Sequence, residues 1–141
     1  MKKKIFISTG EVSGDLHGSL LAKELFDESR KRAVDLEIYG IGGEKMKKAG
    51  VQIIKDTTPI SAIGIWEAVP LVVPMMKIQK EFMKALIAKS PNCLILIDYM
   101  GPNISIGRKI KKKNIDMPIF YYIAPQEWAW RVGNNSTTDL I

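Results

Sequence analysis

The sequence predicts an α/β fold: a mostly parallel sheet with helices on both faces. Short β-type apolar runs alternate with longer segments of helical periodicity along the 141 residues. The run "CLILI" at residues 93–97 is apolar at every position, as expected of a strand covered on both faces. Polar, glycine-bearing stretches follow two of the strand runs, "STGEVSGD" and "LIDYMGPN", where such a sheet places its ligand loops.

Residues 4–8, "KIFIS", form the first expected strand. A helix over residues 15–32 follows, with Leu16, Leu20, Leu21 and Leu25 on one stripe. "LEIYGI" is strand two, and "GEKMKKAG" a short helix with Gly50 as its C′ residue. "VQII" supplies a third strand, and a long helix is expected over residues 65–89, with Leu71, Met75, Ile78, Phe82 and Leu86 facing the core. "CLILID" is strand four, residues 103–113 a helix and "PIFYYI" strand five. This alternation makes the sheet doubly wound and Rossmann-like, over a domain of residues 1–131. The "VGNNSTTDLI" that follows, residues 132–141, is expected as a polar tail or the start of a truncated connection.

Composition narrows the setting. The chain is 46% apolar, enough for one real core, and its 21 basic against 15 acidic residues leave a charge of +6. That excess favours anionic partners. The lone Cys93 cannot pair internally and is expected as a small buried residue in a reducing compartment. "MKKKIFIS" lacks an h-region, and no window approaches the roughly 18 apolar residues of a membrane span. A cytoplasmic chain with at most peripheral membrane contact is expected. No His/Cys/Asp cluster has metal-ligand spacing, so neither metal nor cofactor is expected.

Three loops carry the unusual chemistry. In "STGEVSGD", Gly10 and Gly14 permit a tight turn and close backbone approach, while Ser13 or Asp15 suits a helix cap. Glu11 and Asp15 make it a poor phosphate cradle, so sugar hydroxyls or a proton to be removed suit it better; Asp15 serving the helix dipole is the structural alternative. Asp98 ends an apolar strand, where a carboxylate is either partnered or reaches the cleft, and such a group can act as general base. Asn103 is placed to cap the next helix. "YYIAPQEWAWR" gathers Tyr121, Tyr122, Trp128 and Trp130 before Arg131, a row of rings with a terminal cation. It suits sugar or base stacking and phosphate binding, or packing under a loop.

"AVPLVVPMM", residues 68–76, is uncharged and exceeds what one helical stripe can bury. Val69, Val72, Val73 and Met76 are left over beside Lys77, Lys80 and Lys84, a combination suited to an acyl chain, a membrane interface or a further domain. "RKIKKK", residues 108–113, reads as a solvated helix face or an attraction for anionic lipid or nucleic acid.

Taken together, these stretches resemble one family. "GEVSGDLHG", "GIGGEKMKKAGV", "SAIGIWEAV", "LILID…N" and "YYIAPQEWAWR" occur in the order and spacing of lipid-A-disaccharide synthase, across essentially the whole chain. The resemblance implies the N-terminal half of a GT-B glycosyltransferase. Its reaction transfers a 2,3-diacylglucosamine unit from a UDP donor to 2,3-diacylglucosamine 1-phosphate, releasing UDP with inversion and without a metal. By analogy Asp98 is the first choice for general base, and Glu11 and Asp15 join it as catalytic carboxylates. Gly10, Ser13, Gly14, Asn103, Tyr122, Gln126, Trp128, Trp130 and Arg131 line the substrate cleft. Trp66, Val69, Val72, Val73 and Met76 contact acyl chains or the cytoplasmic face of the inner membrane.

The family commonly carries a second acid three residues after the position of Asp98; here that place is Gly101. Basic residues often follow its Trp-Ala-Trp-Arg element, where this chain has "VGNNSTT". Members also continue through a C-terminal donor-binding domain. The expectation is therefore a fragment with little transferase activity alone, since inverting transfer needs both substrates oriented together. The competing reading is a non-catalytic α/β module that binds a lipid or nucleotide. Nucleic acid is not expected as a partner.

Overall fold

The computed structural model describes residues 2–57, 72–113 and 115–123. In chain order the elements are β1 (Lys2–Ser8), α1 (Val12–Lys31), β2 (Asp35–Gly42), α2 (Glu44–Lys48), β3 (Gln52–Asp56), α3 (Val72–Lys89), β4 (Cys93–Ile97), α4 (Met100–Lys112) and β5 (Ile119–Tyr122). The strands form one sheet, ordered β3-β2-β1-β4-β5, and every neighbouring pair is parallel. The expected α/β, Rossmann-like class is what the chain adopts.

Alternating side chains divide the core into two layers. Phe6 of β1, Tyr39 and Ile41 of β2, and Leu94 and Leu96 of β4 face α3 and α4. There they meet Ile78, Phe82 and Leu86 of α3, three of the five residues expected on its inner stripe, and Ile106 and Ile110 of α4. Leu71 lies outside the described residues, and the side chain of Met75 likewise. The Phe6 ring stacks on Tyr39 at 5.3 Å and meets Phe82 at 5.5 Å. On the other face, Ile7, Ile38, Ile95 and Ile97 pack against α1 and α2.

The α1 stripe differs from the expected one. Leu21 and Leu25 pack inward, but Leu16 and Leu20 are exposed, and the buried line is Gly14, Gly18 and Ala22 with Asp15 and Ser19. The cause is close approach. Gly18, Gly40 and Gly42 surround the Met46 side chain, so that a Cβ at Gly18 or Gly42 would lie 2.6 or 2.5 Å from its sulfur. Small residues bring α1 down onto the sheet, and α2 inserts one long, adaptable side chain into the space. Gly50 stands at the C′ position as expected, with φ of +97°. Val51 N–H donates to Met46 O at 3.1 Å and Gly50 N–H to Lys47 O at 3.0 Å, a Schellman ending.

The two helical layers differ in charge. Helices α3 and α4 carry eight Lys/Arg and one acid, Glu81. Cations and acids nearly balance on α1 and α2, where the ion pairs Asp27–Arg30, Glu28–Lys31, Glu28–Arg32 and Glu44–Lys47 lie. Among the described helices, the positive excess thus resides on one face of the sheet.

Gly40 offers the sharpest test of the packing. A Cβ there would stand 2.6 Å from the Ile7 carbonyl oxygen, in the backbone of the neighbouring strand, where no rotamer change gives relief. Gly40→Ala is expected to lower stability by about 1–3 kcal/mol. The urea midpoint should fall with little change in the slope of the transition.

Candidate functional site

Strand order reverses between β1 and β4: the chain winds outward from β1 through β2 and β3, then returns to β4 and β5. At such a switch point the loops leaving the two strands diverge and open a crevice at their C-terminal ends. Here the crevice is bounded by Thr9, Gly10 and Glu11 after β1, and by Asp98 and Tyr99 after β4.

Asp98 and Tyr99 both adopt the left-handed region, with φ of +45° and +52°. Two successive non-glycine residues in that region are costly and persist only where their surroundings hold them. Several hydrogen bonds hold Asp98. Its carbonyl accepts from Asn103 Nδ2 at 2.7 Å and from Tyr121 Oη at 2.8 Å, and its N–H donates to Ile123 O at 3.2 Å. Its side chain remains partly exposed at the strand end.

Asn103 is fully buried and has a different task from the cap expected of it. α4 begins earlier, at Met100, with Tyr99 at the N-cap and no side-chain capping bond. The Asn103 amide instead reaches back to the strand ends. Its Oδ1 accepts from Ser8 Oγ at 2.7 Å, and its Nδ2 also donates to Ile97 O at 3.1 Å. It therefore ties β1 to β4 behind the crevice and does not line it.

Asp15 also proves to be structural in its contacts. It is only 3% exposed, and Oδ1 accepts from Gly43 N at 2.8 Å and Met46 N at 3.0 Å, while Oδ2 accepts from Lys45 N at 3.0 Å. The carboxylate caps α2 from the first turn of α1, satisfying N–H groups that a five-residue helix cannot satisfy internally. The dipole it serves is that of α2, and neither Ser13 nor Asp15 caps α1, whose N-cap is Glu11 without a side-chain bond.

Glu11 and Ser13 are exposed at the crevice mouth. Gly14 is buried against the Thr9 side chain, and Thr9 Oγ1 is buried without a hydrogen-bond partner. Gly10 lies under the Tyr99 ring, whose Cε1, Cδ1 and Cζ occupy the space a Cβ would need. Burial, with a smaller push from the Glu11 carboxylate, holds the Tyr99 phenol above its ordinary pKa, so it stays neutral at physiological pH. A Cβ at Gly101, where the family's second acid would stand, would meet nothing within 4 Å.

Tyr122 ends β5 half exposed, its ring on the opposite face of the strand from that of Tyr121. Met76 is 63% exposed near the start of α3, in line with its place in the surplus apolar run. Trp66, Val69, Gln126, Trp128, Trp130 and Arg131 lie outside the described residues, as do the side chains of Val72 and Val73. Cys93, expected buried, is only partly so, and its thiol pKa is pushed up by desolvation.

Residue type did not single out Tyr99 or Ser8, and it placed Tyr121 only in a row of rings. The signal for Tyr121 was its place one position before the end of β5, in an aromatic pair whose two members must face opposite ways.

The model for lipid-A-disaccharide synthetase matches residues 5–138. The chain belongs to that family. Lipid-A-disaccharide synthases of Prochlorococcus marinus and Gloeothece citriformis are 47% and 45% identical to it over 138 residues, covering 98% of this chain. The chain spans only 35% and 36% of those relatives' lengths. A UDP-GlcNAc 2-epimerase from Neisseria meningitidis, solved with UDP-GlcNAc, superposes with a TM-score of 0.55 over 99% of this family member and 38% of the epimerase. At 9% identity that likeness concerns the fold alone.

The two acids of the β1 loop should separate cleanly on substitution. Asp15→Asn turns an N–H donor toward at least one of three backbone donors and is expected to cost about 1–3 kcal/mol. Glu11→Gln, at an exposed position, should change stability by about 0.5 kcal/mol or less. Paired urea denaturation curves read the contrast.

Proposed function

We propose that this chain is the acceptor-binding, N-terminal part of a lipid A glycosyltransferase, with residues 1–131 as its Rossmann-like domain. The reaction it serves joins a UDP-linked 2,3-diacylglucosamine to 2,3-diacylglucosamine 1-phosphate. The observation that carries this reading is Asp98. A carboxylate sits partly exposed at the C-terminal end of β4, beside the switch point, on a backbone fixed by Asn103 and Tyr121. Membership of the family supplies the reaction class.

In this reading the Asp98 carboxylate takes the proton of the acceptor hydroxyl as its oxygen attacks the donor's anomeric carbon. The new carbon–oxygen bond forms opposite the bond to UDP, which breaks with its electron pair going to UDP, and the configuration inverts. A fixed carboxylate is suited to this, because proton transfer needs a base held within hydrogen-bond reach of the attacking group. Glu11, exposed at the same mouth, is placed to meet the sugar, and Tyr122 ends β5 on the same edge of the sheet. Asp15, with both oxygens engaged by α2, contributes by placing the loop. The C-terminal part of the longer protein supplies most of the donor contacts, so the 141 residues alone have little activity.

The partner at the membrane follows from charge and exposed carbon. Met76 projects at the start of α3, and the cations Lys77, Lys80 and Lys84 continue down its exposed side beside the basic α4. That surface suits peripheral contact with the anionic cytoplasmic face of the inner membrane. Among the described residues no helix is long and apolar enough to cross a membrane.

Joining this chain to the remainder of the Prochlorococcus relative provides the test of catalysis. In that hybrid Asp98→Asn should lower kcat by about 10²–10⁴-fold while acceptor binding changes little. Unchanged turnover removes Asp98 from the mechanism, and lipid binding without turnover by the unsubstituted hybrid leaves the non-catalytic module. For the membrane contact, the chain should sediment with phosphatidylglycerol vesicles and release as salt rises from about 0.1 to about 1 M, where the screening length falls from about 10 to about 3 Å.

A further inference from the structure

β5 ends one residue out of step with β4. Leu94 N–H donates to Pro118 O at 3.0 Å, and the ladder keeps constant register from Leu94↔Ile119 to Ile97↔Tyr122. The same spacing would carry the Asp98 N–H to Tyr122 O. It donates instead to Ile123 O at 3.2 Å, so one extra residue has entered on the β5 side, as in a β-bulge. The turn that accommodates it is costly, because Ile123 is β-branched and stands in the left-handed region at φ +59°. Regular pairing through Tyr122 would need no such residue.

The irregular ending holds Asp98. Ile123 O accepts from the Asp98 N–H, and Tyr121 Oη donates to the Asp98 carbonyl at 2.8 Å, so the end of β5 engages both polar groups of that backbone. Asp98, Tyr99 and Ile123, on two adjacent strand ends, are all left-handed. Among the described residues the other non-glycine cases, Ala33 and Ser90, follow the ends of α1 and α3, where left-handed residues commonly terminate helices. Strain gathered beside the switch point persists only because its surroundings over-determine it.

We propose that the end of β5 is a positioning clamp for Asp98: the left-handed Ile123 and the Tyr121 hydroxyl fix the Asp98 backbone so that its carboxylate is held at the crevice. The inference rests on the reading of Asp98 as general base and adds two positioning residues, neither of which touches the reacting atoms. With φ and both backbone hydrogen bonds fixed, only two side-chain torsions remain to bring the carboxylate onto a hydroxyl. Asn103 reaches the same carbonyl independently, from α4, so losing one β5 tie slackens the turn without undoing it.

Amide hydrogen exchange of the 141-residue chain reads the clamp, and steady-state kinetics of the hybrid with the Prochlorococcus remainder read its effect. Ile123→Asn, which tolerates the left-handed region, should keep Asp98 amide protection and kcat within about twofold of the unsubstituted protein. Ile123→Pro, with φ fixed near about −65°, should cut that protection at least about tenfold and kcat by about 10–100-fold, with KM within about twofold. Tyr121→Phe keeps the ring and should lower kcat about fivefold at unchanged KM. Protection across the β1–β2 ladder should be the same in all the chains. A proline variant that loses it there is unfolded, and Tyr121→Phe then decides alone. Unchanged kcat in Tyr121→Phe, or in a folded Ile123→Pro chain, overturns the inference and leaves Asp98 as base. Equal loss in Ile123→Asn overturns it too, by placing the effect on the side chain. If Asp98→Asn leaves turnover of the hybrid unchanged, the reading of Asp98 falls, and this inference with it.

Discussion

One buried amide holds the working end of this molecule together. Asn103 sits between the C-terminal ends of the two central strands and bonds to Ser8 on one and to Ile97 and Asp98 on the other. The β1–β4 ladder ends at Ser8 and Leu96, and beyond it the two chains part toward different helices. An amide with both donor and acceptor capacity bridges the gap, and with full burial its bonds are protected from competing water. The left-handed turn at Asp98 and Tyr99 follows from that anchorage. Tyr121, donating from β5 to the same carbonyl, adds a tie from the edge of the sheet.

A second polar tie works on the opposite face. Asp15 joins α1 to α2 through three backbone donors, and the glycine-lined recess for Met46 completes the junction with dispersion contacts. A helix of five residues has too few internal hydrogen bonds to persist alone. It is held instead at its N-terminus by a carboxylate, at its middle by a sulfur-bearing side chain, and at its C-terminus by the Gly50 turn. One charged group and three absent side chains thus determine how closely α1 approaches the sheet.

How much of this was legible in the sequence depended on whether the signal was local. Strand runs such as "CLILI" and the glycine ending of "GEKMKKAG" are local, and both appear where expected. The inner stripe of α3 at Ile78, Phe82 and Leu86 followed from period alone. The stripe of α1 did not, because hydrophobicity points to Leu16 and Leu20, whereas the helix turns glycine and alanine inward to approach the sheet. The hydrogen-bond partners of Asp15 and Asn103 were not legible at all. They lie 28 to 31 and as many as 95 positions away, and no spacing rule reports contacts of that range. Asp98 stood out because a carboxylate ending an apolar strand is conspicuous whatever its partners. Tyr99 did not, because its significance lies in what it covers.

The uneven distribution of cations has a consequence for how the domain behaves as a solid body. The α1–α2 side is nearly balanced in charge, and dissolved electrolyte there weakens short-range attractions between exposed partners. The α3–α4 side carries like charges on adjoining helices, which push against one another until counter-ions gather over them. Electrolyte therefore acts with opposite sign on the two layers, relaxing repulsion across one while loosening attractions on the other.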